Sequence, residues 1–135
     1  MNIHESAENY LETIYIINQN RGSVRSVDVA NALEYSRPSV SVAMKNLREQ
    51  GYICMESDGH ITLSDDGLKI AEAMYERHTL ISDWLIFLGV NKETAVNDAC
   101  KMEHALSEQS FNAIKNHLEN WKKDINGSNG PTNIL

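Results

Sequence analysis

Two cysteines in 135 residues supply no disulfide framework, and Cys54 and Cys100 are expected to be reduced thiols. Two prolines and seven glycines leave long helices unobstructed. No run of about 18 apolar residues occurs, so no membrane span is expected. The opening MNIHESAENY has no basic region followed by an apolar core. No signal peptide is therefore expected, and a cytoplasmic location is. Cations are outnumbered 12 to 19, for a net charge of −7. That balance argues against a simple nucleic-acid coat.

The charge is unevenly spread. From Arg21 to His60 five cations (Arg21, Arg25, Arg37, Lys45, Arg48) face five anions (Asp28, Glu34, Glu49, Glu56, Asp58), net zero. The remaining seven cations and fourteen anions carry the whole −7. One segment tolerates phosphate and the rest repels it.

Hydrophobic spacing predicts a helix over 6–19, with Ala7, Tyr10, Leu11, Ile14, Tyr15 and Ile17 at helical intervals and Ser6 as cap. NRG at 20–22 ends it. Ser26 is expected to cap a short helix burying Val27, Ala30 and Leu33. After the turn YSRPS, Ser36 caps a helix that tolerates Pro38 in its first turn, buries Val40, Ala43, Met44 and Leu47, and stops at Gly51. YICME (52–56) and HITL (60–63) are two β-like runs with the hairpin signal SDG between them. Ser64 then caps a long helix reaching Gly89, with Leu68, Ala71, Met74, Tyr75, Ile81, Leu85 and Leu88 as its apolar positions. Asn91 and Ser107 cap two more, the last with Phe111, Ile114, Leu118 and Trp121 on one side. Residues 126–135 are expected to form a flexible tail.

The expected fold is therefore mainly α: a winged helix-turn-helix over 1–64, followed by an α-helical domain over 65–125. The plain alternative is an all-α core with an idle hairpin. In a winged helix the second helix of the pair enters the major groove with its N-terminal end. Here that end carries Ser36, Arg37, Pro38, Ser39 and Ser41, with Lys45 and Arg48 further along. Arg37 suits guanine or phosphate, and the hydroxyls and free N–H groups suit phosphate oxygens. Ser36 has a capping role in any case. Ser39 and Ser41 fall outside the apolar face, which favours DNA contact over packing.

The stretch CKMEHALS (100–107) places Cys100, Glu103 and His104 on one helix face. A thiolate, a carboxylate and an imidazole make a mixed donor set for borderline transition metals. One helix supplies only part of a coordination shell. Glu12 and His78 are candidates for the rest, because each lies among apolar residues where a lone polar group is costly. Each residue alone has a plainer explanation: a core histidine, a surface glutamate, a small buried thiol. Together they favour metal.

The segments ENYLETIY (8–15), RPSVSVAMKNLREQGYI (37–53), ITLSDDG (61–67), ERHTLI (76–81) and NDACKMEHALS (97–107) resemble the DtxR/MntR family of metal-dependent transcriptional repressors. The resemblance implies a homodimer whose winged helices bind a palindromic operator in double-stranded DNA when metal is bound. It also implies that the helical domain carries dimerisation and metal binding. The SH3-like third domain of the longer members is not expected. Glu12, His78, Cys100, Glu103 and His104 stand at family ligand positions. Asn9 occupies the place of an Asp or Met in other members and can ligate through its carbonyl oxygen, weakly. Cys100 is the iron-type choice where manganese-type members have Glu. Ser82 and Val96 stand where an ancillary site would need an acid and a second His, which leaves that site open, with Asp83 or Asp98 as the substitutes at hand.

No enzyme is expected. The cofactor is expected to be a divalent transition metal: Fe²⁺ first, Mn²⁺ second, with Zn²⁺, Co²⁺ or Ni²⁺ as in vitro substitutes. Three rivals make other demands. A winged-helix sensor of an organic ligand would be indifferent to chelators. A small zinc enzyme would use Cys100, His104 and His78 on the metal with Glu103 as base. A metal buffer would have no use for Arg37, Ser39 or Ser41.

Overall fold

The structure, a computed structural model, describes residues 5–127, with side chains described through Trp121. The elements run α1 (Glu5–Arg21), α2 (Ser26–Leu33), α3 (Arg37–Glu49), β1 (Ile53–Met55), β2 (Ile61–Leu63), α4 (Asp65–Phe87), α5 (Lys92–Ala105) and α6 (Glu108–Gly127). The chain divides into two compact units, one ending at His78 and one beginning at Thr79. The mainly helical fold, with a winged helix-turn-helix at its start, is the expected one.

The first unit closes around one core. Leu11 and Ile14 of α1, Val29 and Ala30 of α2, Val40, Met44 and Leu47 of α3, and Ile53 and Ile61 of the hairpin are all buried. The hairpin is antiparallel, pairing Ile53 with Leu63, Cys54 with Thr62 and Met55 with Ile61. Its loop is three residues long, closed by Glu56 N–H donating to His60 C=O at 2.8 Å. Gly59 takes the left-handed conformation there, φ 93°, as such a loop requires. Val24, fully buried, adds a third extended segment: its C=O accepts from Ile61 N–H at 2.8 Å, and Arg25 bridges to His60.

Helix ends follow capping chemistry, with two corrections. α1 begins at Glu5, so Ser6 is already helical rather than its cap. Ser26 is likewise the first residue of α2, and Arg25 is the cap; the Asp28 carboxylate accepts from Arg25 N–H at 2.9 Å and secures that end. Ser36, Ser64, Asn91 and Ser107 cap as expected, accepting from Ser39, Gly67, Thr94 and Ser110 N–H respectively. α3 and α4 end in the same double-bonded turn, Tyr52 to Leu47 with Gly51 to Arg48, and Val90 to Leu85 with Gly89 to Ile86.

Of the apolar positions expected to carry α4, three are exposed: Leu68, Tyr75 and Leu88. The buried line runs through Ala71, Met74 and Ile81. Leu68 and Tyr75 lie at its edge, and Leu88 falls in the turn after Phe87. In α2 the most deeply buried residue is Val29, not Val27. α6 runs to Gly127, so the first two residues of the expected tail are helical, and 128–135 lie outside the described residues.

Among the described glycines, Gly67 is the one with no room for a side chain. A Cβ there would strike the backbone carbonyl of Tyr52, which also accepts from Ser64 N–H at 3.0 Å. The first turn of α4 thus lies directly on the residue that leads into β1. Gly67→Ala is expected to cost about 2 kcal/mol, because the obstacle is backbone and cannot rotate away. Thermal unfolding followed by circular dichroism checks this; an unchanged Tm would mean that α4 can shift freely.

Candidate metal centre and nucleic-acid interface

α3 presents a buried and an exposed side. Val40, Met44 and Leu47 face the core at helical spacing, while Ser36, Arg37, Pro38, Ser39, Ser41, Lys45 and Arg48 are exposed. All six residues expected to meet DNA are therefore accessible. Ser36 makes two local hydrogen bonds. Its oxygen accepts from Ser39 N–H at 3.3 Å and its hydroxyl donates to Ser39 Oγ at 2.8 Å. This orders the first turn of α3; Pro38 has no N–H and Ser36 takes the N–H groups of Ser39 and Val40, so that turn offers an anion its hydroxyls and the helix dipole rather than a row of free amides. Tyr35 precedes that turn, half-exposed, its ring edge-on to Tyr10 at 6.0 Å. Burial, with Tyr35 adding, pushes the Tyr10 hydroxyl above its usual range.

The wing carries its own polar cluster. Asp58 accepts from His60 backbone N–H at 3.1 Å, and its other oxygen lies 2.8 Å from His60 Nδ1. The backbone N–H, and then the ring, hold the Asp58 carboxyl below the usual carboxylate range. Arg25 sits beside this cluster through the bridge to His60. Nothing in composition or spacing singled out Arg25 or His60; the available signal was the short extended run GSVR just ahead of α2, which pairs with the wing.

The expected metal ligands divide between the units. In the second, α5 buries Ala95, Ala99 and Glu103, spaced four apart. Two alanines and a carboxylate therefore make up its buried line. Glu103 is 0% exposed. His104 Nε2 lies 3.5 Å from Glu103 Oε1, and its side chain is only 6% exposed. Cys100, one turn earlier, is exposed, which removes the explanation of it as a small buried hydrophobe. In the first unit, Glu12 is 5% exposed, so it is no surface glutamate. Asn9, half-buried one turn before it, has its backbone C=O engaged by Thr13 Oγ1 at 2.8 Å. His78 is half-buried on α4. α1 and α4 meet through Tyr15 and Tyr75, whose ring centroids are 5.5 Å apart, close in sequence to Glu12 and His78. Ser82, at one ancillary place, is buried and donates to Thr79 C=O at 3.2 Å. Val96, at the other, brings no donor.

Buried carboxylates are costly unless a positive charge or hydrogen bonds compensate them. A line of donors comprising a buried carboxylate, a nearly buried imidazole and an accessible thiol fits a divalent transition metal better than a hard cation such as Mg²⁺.

Comparisons with known proteins bear on both faces. Residues 2–61 match the iron dependent repressor N-terminal DNA binding domain, and residues 64–132 match the iron dependent repressor metal binding and dimerisation domain. An uncharacterised HTH-type transcriptional regulator of Methanocaldococcus jannaschii is 33% identical over 123 residues, covering 90% of this chain and 98% of its own length. The HTH-type transcriptional regulator MntR of Lysinibacillus sphaericus is 34% identical over 109 residues, covering 81% of this chain and 78% of its own. Among solved structures, a manganese-dependent transcriptional repressor in complex with manganese superposes with a TM-score of 0.76 at 29% identity. That match covers 84% of this chain, which spans about half, 52%, of the solved one.

Divalent metal is expected to stabilise the folded chain, because donors held in place bind better than donors on an unfolded chain. At a free concentration about 100 times the dissociation constant the gain is about 2.7 kcal/mol. Calorimetry before and after chelation checks it: Tm should rise with metal and return with chelator, and a Tm indifferent to both would remove metal binding.

Proposed function

The chain belongs to the iron-dependent repressor family of transcriptional regulators, and from that membership we propose that it represses metal-homeostasis genes with a divalent metal as co-repressor. The observation that carries this reading is the buried Glu103 beside His104, with Cys100 on the same helix, in a chain whose α3 presents an exposed cationic face.

In this reading Glu12, His78, Cys100, Glu103 and His104 hold the metal, and Asn9 contributes weakly. The bound cation supplies the positive charge that offsets two buried carboxylates. Glu12 belongs to α1 of the winged helix, whereas Cys100, Glu103 and His104 belong to α5. Ligands drawn from both make metal affinity depend on how the DNA-binding part is held. Linkage then requires that metal favour the arrangement it binds best. Residues 1–64 act as the DNA-binding domain and 65–125 as the dimerisation and metal-binding domain. Two copies related by a two-fold axis place two α3 helices on a palindromic operator, with half-sites about 34 Å apart or a multiple of that. Ile86, Phe87 and Leu88, exposed at the end of α4, offer apolar surface to a second copy. Ser36, Arg37, Pro38, Ser39, Ser41 and Lys45 meet the duplex. A chain with no helix long and apolar enough to cross a membrane among its described residues suits a regulator working in the cytoplasm.

The thiol at Cys100 moves metal preference away from hard Mn²⁺. Fe²⁺ is the favoured co-repressor and Mn²⁺ the second, with Zn²⁺, Co²⁺ and Ni²⁺ able to substitute in vitro.

Selection from a pool of random duplexes at fixed salt tests the function. With Fe²⁺ (anaerobic), Mn²⁺, Zn²⁺ and Co²⁺ in turn, the wild type is expected to enrich a palindrome only when metal is present, and His104→Ala to enrich none. Cys100→Glu is expected to raise Mn²⁺ in the ranking. Enrichment indifferent to metal and to His104→Ala would favour a sensor of an organic ligand; a ranking unmoved by Cys100→Glu would remove the thiol as the selecting group.

A further inference from the structure

One exposed residue on α3 does not belong with the polar groups around it. Val42 is 60% exposed. It lies two positions from both Val40 and Met44, which are buried, so it points to the opposite side of the helix. Pro38 and Ser39 precede it by four and three residues, and Lys45 follows by three, so all four side chains share the outer face. A lone valine on an arbitrary surface needs no explanation. This one stands at the centre of the row proposed to face DNA, flanked by exposed Ser39 and Lys45. Its β-branched side chain keeps one strongly preferred rotamer in a helix, so its methyl groups are held in fixed positions.

A valine can neither donate nor accept a hydrogen bond. Among base edges in the major groove, the apolar feature open to it is the C5-methyl group of thymine. We propose that Val42 packs against a thymine methyl in each operator half-site and so selects thymine over cytosine at that position. This rests on the DNA-binding reading above. Lys45 and Arg48 hold the helix against phosphates without regard to sequence, Arg37 is free to seek guanine or phosphate, and Val42 adds an apolar determinant between them.

The test uses the full-length metal-loaded dimer and the duplex selected from the random pool. Each symmetric pair of thymines is replaced by deoxyuridine, which removes only the methyl group. At one pair the wild type is expected to lose about fourfold in affinity per half-site, about fifteenfold for both, the worth of one buried methyl. Val42→Ala is expected to bind the parent duplex more weakly and to bind the thymine and deoxyuridine forms at that pair equally. Val42→Thr, which keeps the branch and one methyl, should fall between. Val42 is exposed and alanine is the stronger helix former, so the variant folds, and an unchanged Tm verifies it. A wild type indifferent to every deoxyuridine pair overturns the inference. So does a Val42→Ala protein that keeps the full methyl sensitivity, which would pass the contact to another residue such as Pro38. A wild type that selects no duplex with any metal overturns the regulator reading first, and this inference with it.

Discussion

A carboxylate with no exposed surface is the constraint around which the second unit is built. Ala95, Ala99 and Glu103 form the buried line of α5. In an ordinary amphipathic helix the third member would be apolar, and its burial would add to stability. A charge in that place instead costs free energy that something nearby must offset. His104 approaches to 3.5 Å and offsets part of it when protonated, since a positive imidazole beside a carboxylate is favourable and a neutral one much less so. A divalent cation offsets more. The two small alanines contribute differently: with little side chain, they let neighbouring elements approach the helix closely on the same side that carries the charge. A helix shaped only for packing would have used leucine at those places.

The first unit depends on the opposite kind of contact. Its core is aliphatic apart from Tyr52, and at Gly67 helix backbone lies directly against the Tyr52 backbone. That contact fixes the start of α4 relative to the wing, while the pairing of Val24 with Ile61 fixes the wing relative to the entry of α2. α3 is thus held by its buried valine, methionine and leucine on one side and left with polar and cationic groups, Pro38 and Val42 on the other. A rigid platform with a chemically varied outer face is what base-edge recognition demands, because register errors of a few ångströms would move every contact.

Much of this was legible in the sequence because the signals are local. Ser36, Ser64, Asn91 and Ser107 announced their helices by capping chemistry, and the structure has each of them accepting the expected N–H. Where the local rule failed, a competing interaction explains it. Ser26 looked like the cap of α2, but the Asp28 carboxylate reaches back to Arg25 N–H and moves the boundary one residue earlier. Val24 and Arg25 gave too short a run to be read as extended, since their pairing partners, Ile61 and His60, lie far along the chain in the wing. Leu68 and Tyr75 matched a helical period but lie at the margin of the buried stripe, where periodicity cannot separate edge from centre. Glu103 was visible as a donor by its spacing from Cys100 and His104; that it is wholly buried was not, because burial depends on what packs over α5 rather than on α5 itself.

The thiol completes the physical picture of the proposed function. In the proposed site burial suits Glu103, whose negative charge a metal would neutralise, and the imidazole of His104, which would bind metal in its neutral form. A thiol must lose a proton to ligate, and deprotonation is easier where water reaches the sulfur. Cys100 is the exposed member of the three. In the proposed site a thiol so placed would release its proton to solvent as it ligates. Such a ligand would couple metal affinity to pH, since each metal bound through sulfur displaces the thiol proton. In that reading the same sulfur would penalise hard cations. A single exposed atom would thus govern both which metal is retained and how sharply retention depends on acidity.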